Sequence, residues 1–220
     1  MNARIGGTIL YLFSQLVHKT GRFSISGFER AGVEGMGDEP LIITSWHGMT
    51  MMVAAFIRTH MDITRFNVIM PDDQRGANLE VFAERLGVKA VRLDLSGDST
   101  FRTGRRLAGL IREIKGGRRF LIHPDGPAGP AYHVKPGLAY IARKTGARIL
   151  PIGCYCRNAY HLHRWDRYTL PLPFSRINIQ VGKPIYFREN DSSPETIRRN
   201  LEDTLNRLSL QAAANYYEMG

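Results

Sequence analysis

Short apolar runs alternate with segments of helical periodicity along almost the whole chain, and this alternation constrains the fold more than any other feature. LIITSW (41–46), NVIM (67–70), RFLIH (119–123) and RILPIGCYC (148–156) hold apolar residues on consecutive positions and are too short for helices, as expected of buried strands, and INIQVG (177–182) reads as a final strand. FSISGFERA (23–31) and VKAVRLDL (88–95) read as further strands, the first at a sheet edge. Between them lie helical patterns at 49–57, 77–86 (apolar face Leu79, Phe82, Ala83, Leu86), 101–116 and 137–145. A last helix is announced by Ser193 as N-cap and Pro194 at the first helical position, with Ile197, Leu201, Leu205 and Leu208 along one face. RYTLPLPFS (167–175) reads as a proline-rich loop. Strands alternating with helices predict a single α/β domain over 21–213, a largely parallel sheet flanked by helices, followed by a tail at 214–220.

The first 20 residues stand apart. Ile5, Ile9, Leu10, Leu12, Phe13, Leu16 and Val17 share one broad arc of a helix, with Thr8, Tyr11, Gln15 and His18 opposite. The segment lacks the basic start and cleavage site of a signal peptide, and no apolar stretch reaches the roughly 20 residues that span a bilayer. An amphipathic helix over 1–20 therefore either lies in a membrane interface or packs on its own domain. Composition narrows the choice of partner. Lys and Arg number 30 against 20 Asp and Glu, a net charge of +10, in a chain that is 43% hydrophobic and so clearly globular. Seven cations fall between 102 and 119 (Arg102, Arg105, Arg106, Arg112, Lys115, Arg118, Arg119) with one acid, Glu113. Such a face is either merely solvated or meets an anion: a phosphate-bearing substrate or an anionic membrane surface. Nucleic acid is disfavoured because the aromatic residues sit in apolar runs instead of between the arginines.

In open α/β sheets ligands bind beyond the carboxyl ends of the strands, which directs attention to two turns. After 41–46 come His47 and Gly48, an imidazole suited to general-base work beside a glycine that would let a substrate approach. After 119–123 comes HPDGPAGP (123–130), where three prolines and two glycines fix a rigid loop around Asp125. Asp125 would orient His47, accept a hydrogen bond from a substrate hydroxyl, or satisfy its own turn. Cys154 and Cys156 are spaced C-x-C on an apolar strand. They suit a core, in a reducing compartment, better than a structural zinc or a disulfide framework. The sequence contains no phosphate-binding P-loop, no strand-linked G-x-G-x-x-G, and no G-x-S-x-G elbow around Ser96 and Ser99.

Taken in order, WHG, ERLG, the basic helix, HPDGPAGP, VKPGLAYIARKTGARILPIG and RWDRYTLPLPFSRINIQVGKPIYF resemble the lysophospholipid acyltransferase superfamily over roughly residues 23 to 188. More narrowly they resemble its bacterial branch labelled as domain of unknown function DUF374, some of whose members are late acyltransferases of lipid A. The resemblance implies a glycerolipid acyltransferase-like fold and transfer of an acyl group from a thioester, on acyl carrier protein or coenzyme A, to a hydroxyl of a lipid acceptor. It implies no metal and no cofactor. His47 matches the histidine that deprotonates the acceptor. The aspartate that follows it in the superfamily is here Met52, Asp125–Gly126 match the third motif, and Pro151 the fourth. Where the branch carries an acidic residue and glycine before its second helix, this chain has Arg75 and Gly76.

On this reading Asp125 supplies the missing carboxylate to His47, with Asp72 or Asp73 in reserve. Backbone at Gly126 or Gly48 holds the oxyanion, and Gly48, Arg75, Arg118, Gly126, Pro127 and Lys135 bind substrate. The protein would act peripherally at the cytoplasmic face of a bacterial inner membrane. The alternative, suggested by Met52 and Arg75, is a catalytically silent lipid- or membrane-binding protein of the same fold.

Overall fold

A computed structural model describes residues 3–33, 39–70, 74–92, 101–126, 128–187 and 193–218. Its elements in chain order are α1 (Ala3–Thr20), β1 (Arg22–Ser26), β2 (Leu41–Thr44), α2 (Thr50–His60), β3 (Phe66–Met70), α3 (Gln74–Leu86), β4 (Lys89–Arg92) and α4 (Phe101–Lys115). There follow β5 (Arg119–Ile122), α5 (Pro136–Thr145), β6 (Arg148–Tyr155), β7 (Ala159–His161), β8 (Thr169–Pro171), β9 (Arg176–Val181) and α6 (Pro194–Glu218). Seven strands form one sheet in the order β1-β9-β6-β2-β5-β3-β4. All pairings are parallel except β6 with β9, so the sheet is mixed, and β1 and β9 run against the others.

Alternate residues of the central strands feed two cores, as the pleat requires. Leu41, Ile43, Leu121 and Leu150 face Val17 of α1 and Val53 and Phe56 of α2. Ile42, Phe120, Ile122 and Ile149 face Ile114, Leu138, Leu201 and Leu205 of α4, α5 and α6. Every central strand is therefore buried on both faces, which is why each reads as an unbroken apolar run. Ser193 caps α6 as its sequence predicts, its hydroxyl accepting the Thr196 N–H at 3.1 Å. The helix does not stop where a tail was expected at 214. Ala212 and Tyr216 extend the buried stripe of Ile197, Leu201, Leu205 and Leu208, and α6 continues to Glu218.

Two further differences bear on the site. The segment read as a proline-rich loop, 167–175, supplies β8, which pairs antiparallel with β7 just before it in a hairpin too short, at three residues per strand, to show an alternating pattern. The strand expected over 88–95 is seen as β4; Leu93–Leu95, Ser96 and Ser99 lie outside the described residues.

Candidate active site

His47 opens a 3₁₀ turn, His47–Met49, immediately past the carboxyl end of β2. Because β2 and β5 are parallel neighbours, their following turns lie side by side, and the 123–126 turn abuts the backbone at 47. Asp125 meets His47 there, though not as expected. Its carboxylate accepts the backbone N–H of His47, at 3.0 Å to Oδ1 and 3.3 Å to Oδ2, and does not pair with the ring. Burial pushes the Asp125 carboxyl up to about 6, against hydrogen bonds from backbone N–H groups of His47, Asp125 and Tyr132 that favour its charged form. Asp125 thus pins the turn that carries the imidazole.

The carboxylate on the ring belongs to Asp166. His47 Nδ1 lies 2.7 Å from Asp166 Oδ2, whose side chain is fully buried, while the imidazole keeps 24% of its surface open. A carboxylate only accepts, so Nδ1 donates and Nε2, which has no hydrogen-bond partner among the described residues, holds the lone pair. Burial lowers the His47 pKa. The hydrogen bond and charge of Asp166 oppose that fall, and Arg164, 3.2 Å from the same Oδ2, adds to it. The balance leaves a neutral imidazole at physiological pH, its basic nitrogen available.

Asp166 arrives from the loop of the β7–β8 hairpin. Gly48 permits this: a Cβ there would come within 2.4 Å of the Asp166 carbonyl oxygen. The glycine expected to admit substrate instead admits the backbone of its neighbour's partner. A second contact holds the loop, since Gly129, at φ +72°, receives the Trp165 ring where a Cβ would lie 2.7 Å from it. Trp165 and Tyr168 stand around the imidazole with centroids 5.4 and 6.1 Å from it.

Beneath His47 lies a second histidine. His123 is half-buried, its Nδ1–H donating to the Ser45 carbonyl at 2.9 Å, and desolvation drives its pKa down to about 3, so it stays neutral. The Thr50 hydroxyl sits 2.6 Å from the His47 carbonyl and 3.0 Å from His123 Nε2, tying both histidines to the start of α2. From this cluster a narrow apolar cleft of about 110 Å³ runs between α2, β3 and α3, past Ile57, Ile63, Phe66, Leu79, Phe82 and Leu86.

The other expected site residues divide by position. Lys135, half-buried at the start of α5, belongs to the same rim as His47, its backbone N–H donating to the Pro124 carbonyl at 2.9 Å. The Gly126 N–H is already bonded to the His123 carbonyl at 3.2 Å, which closes the expected use of it for an oxyanion. Arg118 precedes β5, and His47 follows the parallel β2, so Arg118 lies at the opposite end of the strands and does not reach the same substrate group. Pro127, Asp72, Asp73 and the Arg75 side chain lie outside the described residues. Met52, where the resemblance expects an aspartate, points into the apolar core at 1% exposure. Cys154 and Cys156 are core residues, and burial raises both thiols. Among the described residues no group of three His, Cys, Asp or Glu side chains is placed to hold a metal ion.

Asp166 was not singled out from the sequence. The available signal was one acid in an otherwise basic and aromatic run, HLHRWDRYT, where a buried partner for a cation is the economical explanation.

No protein-family model matches the chain. An uncharacterized protein, RP090, of Rickettsia prowazekii (strain Madrid E) is 25% identical over 178 residues, covering 80% of this chain and 78% of that one. The crystal structure of the 1-acyl-sn-glycerophosphate acyltransferase PlsC from Thermotoga maritima superposes with a TM-score of 0.63 at 21% identity, covering 94% of this chain and 80% of that one. The fold is therefore that of the PlsC-type glycerolipid acyltransferases, N-terminal helix included.

Proposed function

We propose that this chain belongs to the lysophospholipid acyltransferase superfamily and moves a fatty acyl group from a thioester to a hydroxyl of a lipid acceptor, with His47 as general base. The observation that carries this reading is an imidazole whose Nδ1 is held by a buried carboxylate and whose Nε2 stands free at the mouth of an apolar cleft. Nε2 takes the proton of the acceptor hydroxyl as its oxygen attacks the thioester carbonyl carbon. The C–O bond forms, the tetrahedral intermediate collapses with cleavage of the C–S bond, and the imidazolium returns its proton to the departing sulfur. Asp166 stabilises the imidazolium while it exists. The apolar cleft takes the acyl chain, and Lys135 the anionic part of donor or acceptor.

Among the described residues no helix is long and apolar enough to cross a membrane. α1 nevertheless leaves Ile5, Ile9, Leu12 and Leu16 exposed on one face, and Phe174, whose N–H donates to Thr20 at the end of α1, is exposed as well. The strand that follows α1 begins at the end of the sheet where β2 finishes, so this apolar surface and His47 share a rim. That arrangement supports peripheral docking on a membrane that holds the acceptor, and we place it at the cytoplasmic face of an inner membrane. The acyl donor is coenzyme A or acyl carrier protein. Within the superfamily, HPDGPAGP favours the DUF374 branch and a lysophospholipid or lipid A precursor as acceptor. The silent-protein alternative loses its chief motive, since Asp166 provides the carboxylate that Met52 lacks.

Mass spectrometry of lipid extracts from cells with and without the protein tests the reading. A lipid that gains one acyl group only when wild-type protein is present, and not with His47→Ala, is expected. Identical lipid profiles in all three strains would refute it.

A further inference from the structure

A second cavity is remote from His47. A groove of about 860 Å³ runs along α6, past the ends of β1 and β9. Arg30, Lys183 and Arg207 line it together with the amides of Asn200, Gln211 and Asn215, and among the described residues no carboxylate does. It lies beside α6, on the face of the sheet opposite the cleft that α2 and α3 cover.

The three cations differ from their neighbours on α6 in having no ion-pair partner among the described residues. Earlier on α6, Arg198 pairs with Glu195 at 2.7 Å and Glu202 at 3.2 Å, and Arg199 pairs with Glu195 at 2.8 Å. Arg207 makes no ion pair among the described residues, although Asp203 lies one turn before it in the orientation that suits a helical pair. Arg30 and Lys183 likewise make none among the described residues. Like charges gathered around a concavity repel each other and focus a positive potential into it, and a bound anion relieves that repulsion.

Shape and placement select the kind of anion. A volume of about 860 Å³ is within the ordinary range for small-molecule sites, roughly 300–1,000 Å³. A bilayer is flat, and on the docking proposed above it meets α1, which packs on the other face of the sheet. The amides of α6 supply donors and acceptors for an uncharged polar body next to the charged end. We propose that this groove binds a soluble phosphorylated small molecule of about nucleotide size. Its phosphates rest on Arg30, Lys183 and Arg207, and its polar body lies along Asn200, Gln211 and Asn215. The site is separate from the one that holds His47, and the proposal stands whether or not the chain transfers acyl groups.

Calorimetric titration of the full chain with ADP tests it. Saturable one-to-one binding is expected. It should weaken by about tenfold or more in the double variant Lys183→Ala/Arg207→Ala, stay within about threefold in Lys183→Arg/Arg207→Lys, and be unchanged in His47→Ala. All the substituted groove residues are exposed, so folding is not at stake. Absence of saturable ADP binding would overturn the proposal, as would equal affinity in the alanine double variant. So would phosphatidylglycerol vesicles whose binding needs Lys183 and Arg207 while ADP binding does not.

Discussion

Asp166→Asn changes one oxygen to an amide nitrogen and removes the charge that faces the imidazolium. The Nδ1–Oδ2 distance of 2.7 Å puts the centres of charge roughly 4 Å apart, and at an effective dielectric of about 20 their attraction is about 4 kcal/mol. Arg164, on the same oxygen, is half-exposed and partly offsets it. Because the imidazolium exists only once the hydroxyl proton has moved, nearly all of this energy belongs to the transition state. At about 1.4 kcal/mol per decade, transfer should slow by roughly 10²–10³-fold. Asp166 also raises the His47 pKa, so the acid limb of the pH–rate profile should move to lower pH in the variant, which a merely structural defect would not produce. The assay is release of free thiol from acyl-coenzyme A in the presence of a lysophospholipid on mixed micelles, followed from pH 5 to 9. A variant that folds normally, keeps its rate within about threefold and shows an unmoved acid limb would refute the assignment of Asp166 to the ring.

Three other outcomes follow from the same coordinates. Met52→Asp, which puts an aspartate where the family resemblance expects one, should not rescue Asp166→Asn. It buries an unpaired carboxylate in the α2 core and should cost about 3–5 kcal/mol in urea unfolding; recovered activity would show that the ring can turn to α2. Ile9→Ser/Leu12→Ser should reduce partition onto anionic vesicles by roughly 30-fold or more, at about 1.5–3 kcal/mol per apolar side chain, and leave thermal unfolding unchanged. Undiminished vesicle binding would remove α1 from the membrane contact. The folded-state pKa of His123 is depressed to about 3, so the native state binds fewer protons than the unfolded one. Its contribution is full above pH 6.5 and is lost as pH falls toward 3, on the order of 4 kcal/mol in all. His123→Asn should flatten the dependence of urea stability on pH between 4 and 6.5, and an unchanged slope would mean that the ring is solvated.

Much of the fold is legible in the sequence because strands buried on both faces leave unbroken apolar runs, and LIITSW, RFLIH and RILPIGCYC emerge as adjacent strands. The α6 cap was equally plain from Ser193 and Pro194. The site was legible only where it follows strand ends. Parallel neighbours bring turns together, so His47 and Asp125 were found as a pair, yet strand order says nothing about which atom of residue 47 the carboxylate meets. Asp166 was illegible because it lies 119 positions from His47 on a hairpin too short for periodicity, and because the glycine that admits it, Gly48, also suits a substrate. The end of α6 was misread for a simpler reason: Ala212 is small and Tyr216 amphipathic, so a strict apolar stripe seems to end at Leu208.

The most direct test of His47 as the acyl-transfer base is a single-turnover measurement on purified protein, with acyl-coenzyme A or acyl carrier protein thioester, a lysophospholipid acceptor, and product identified by mass. Wild type should yield the singly acylated acceptor with stoichiometric release of thiol, and folded His47→Ala should yield none above the uncatalysed background. Equal product from both proteins would contradict the assignment, and no product from wild type with any thioester or acceptor would contradict acyl transfer itself.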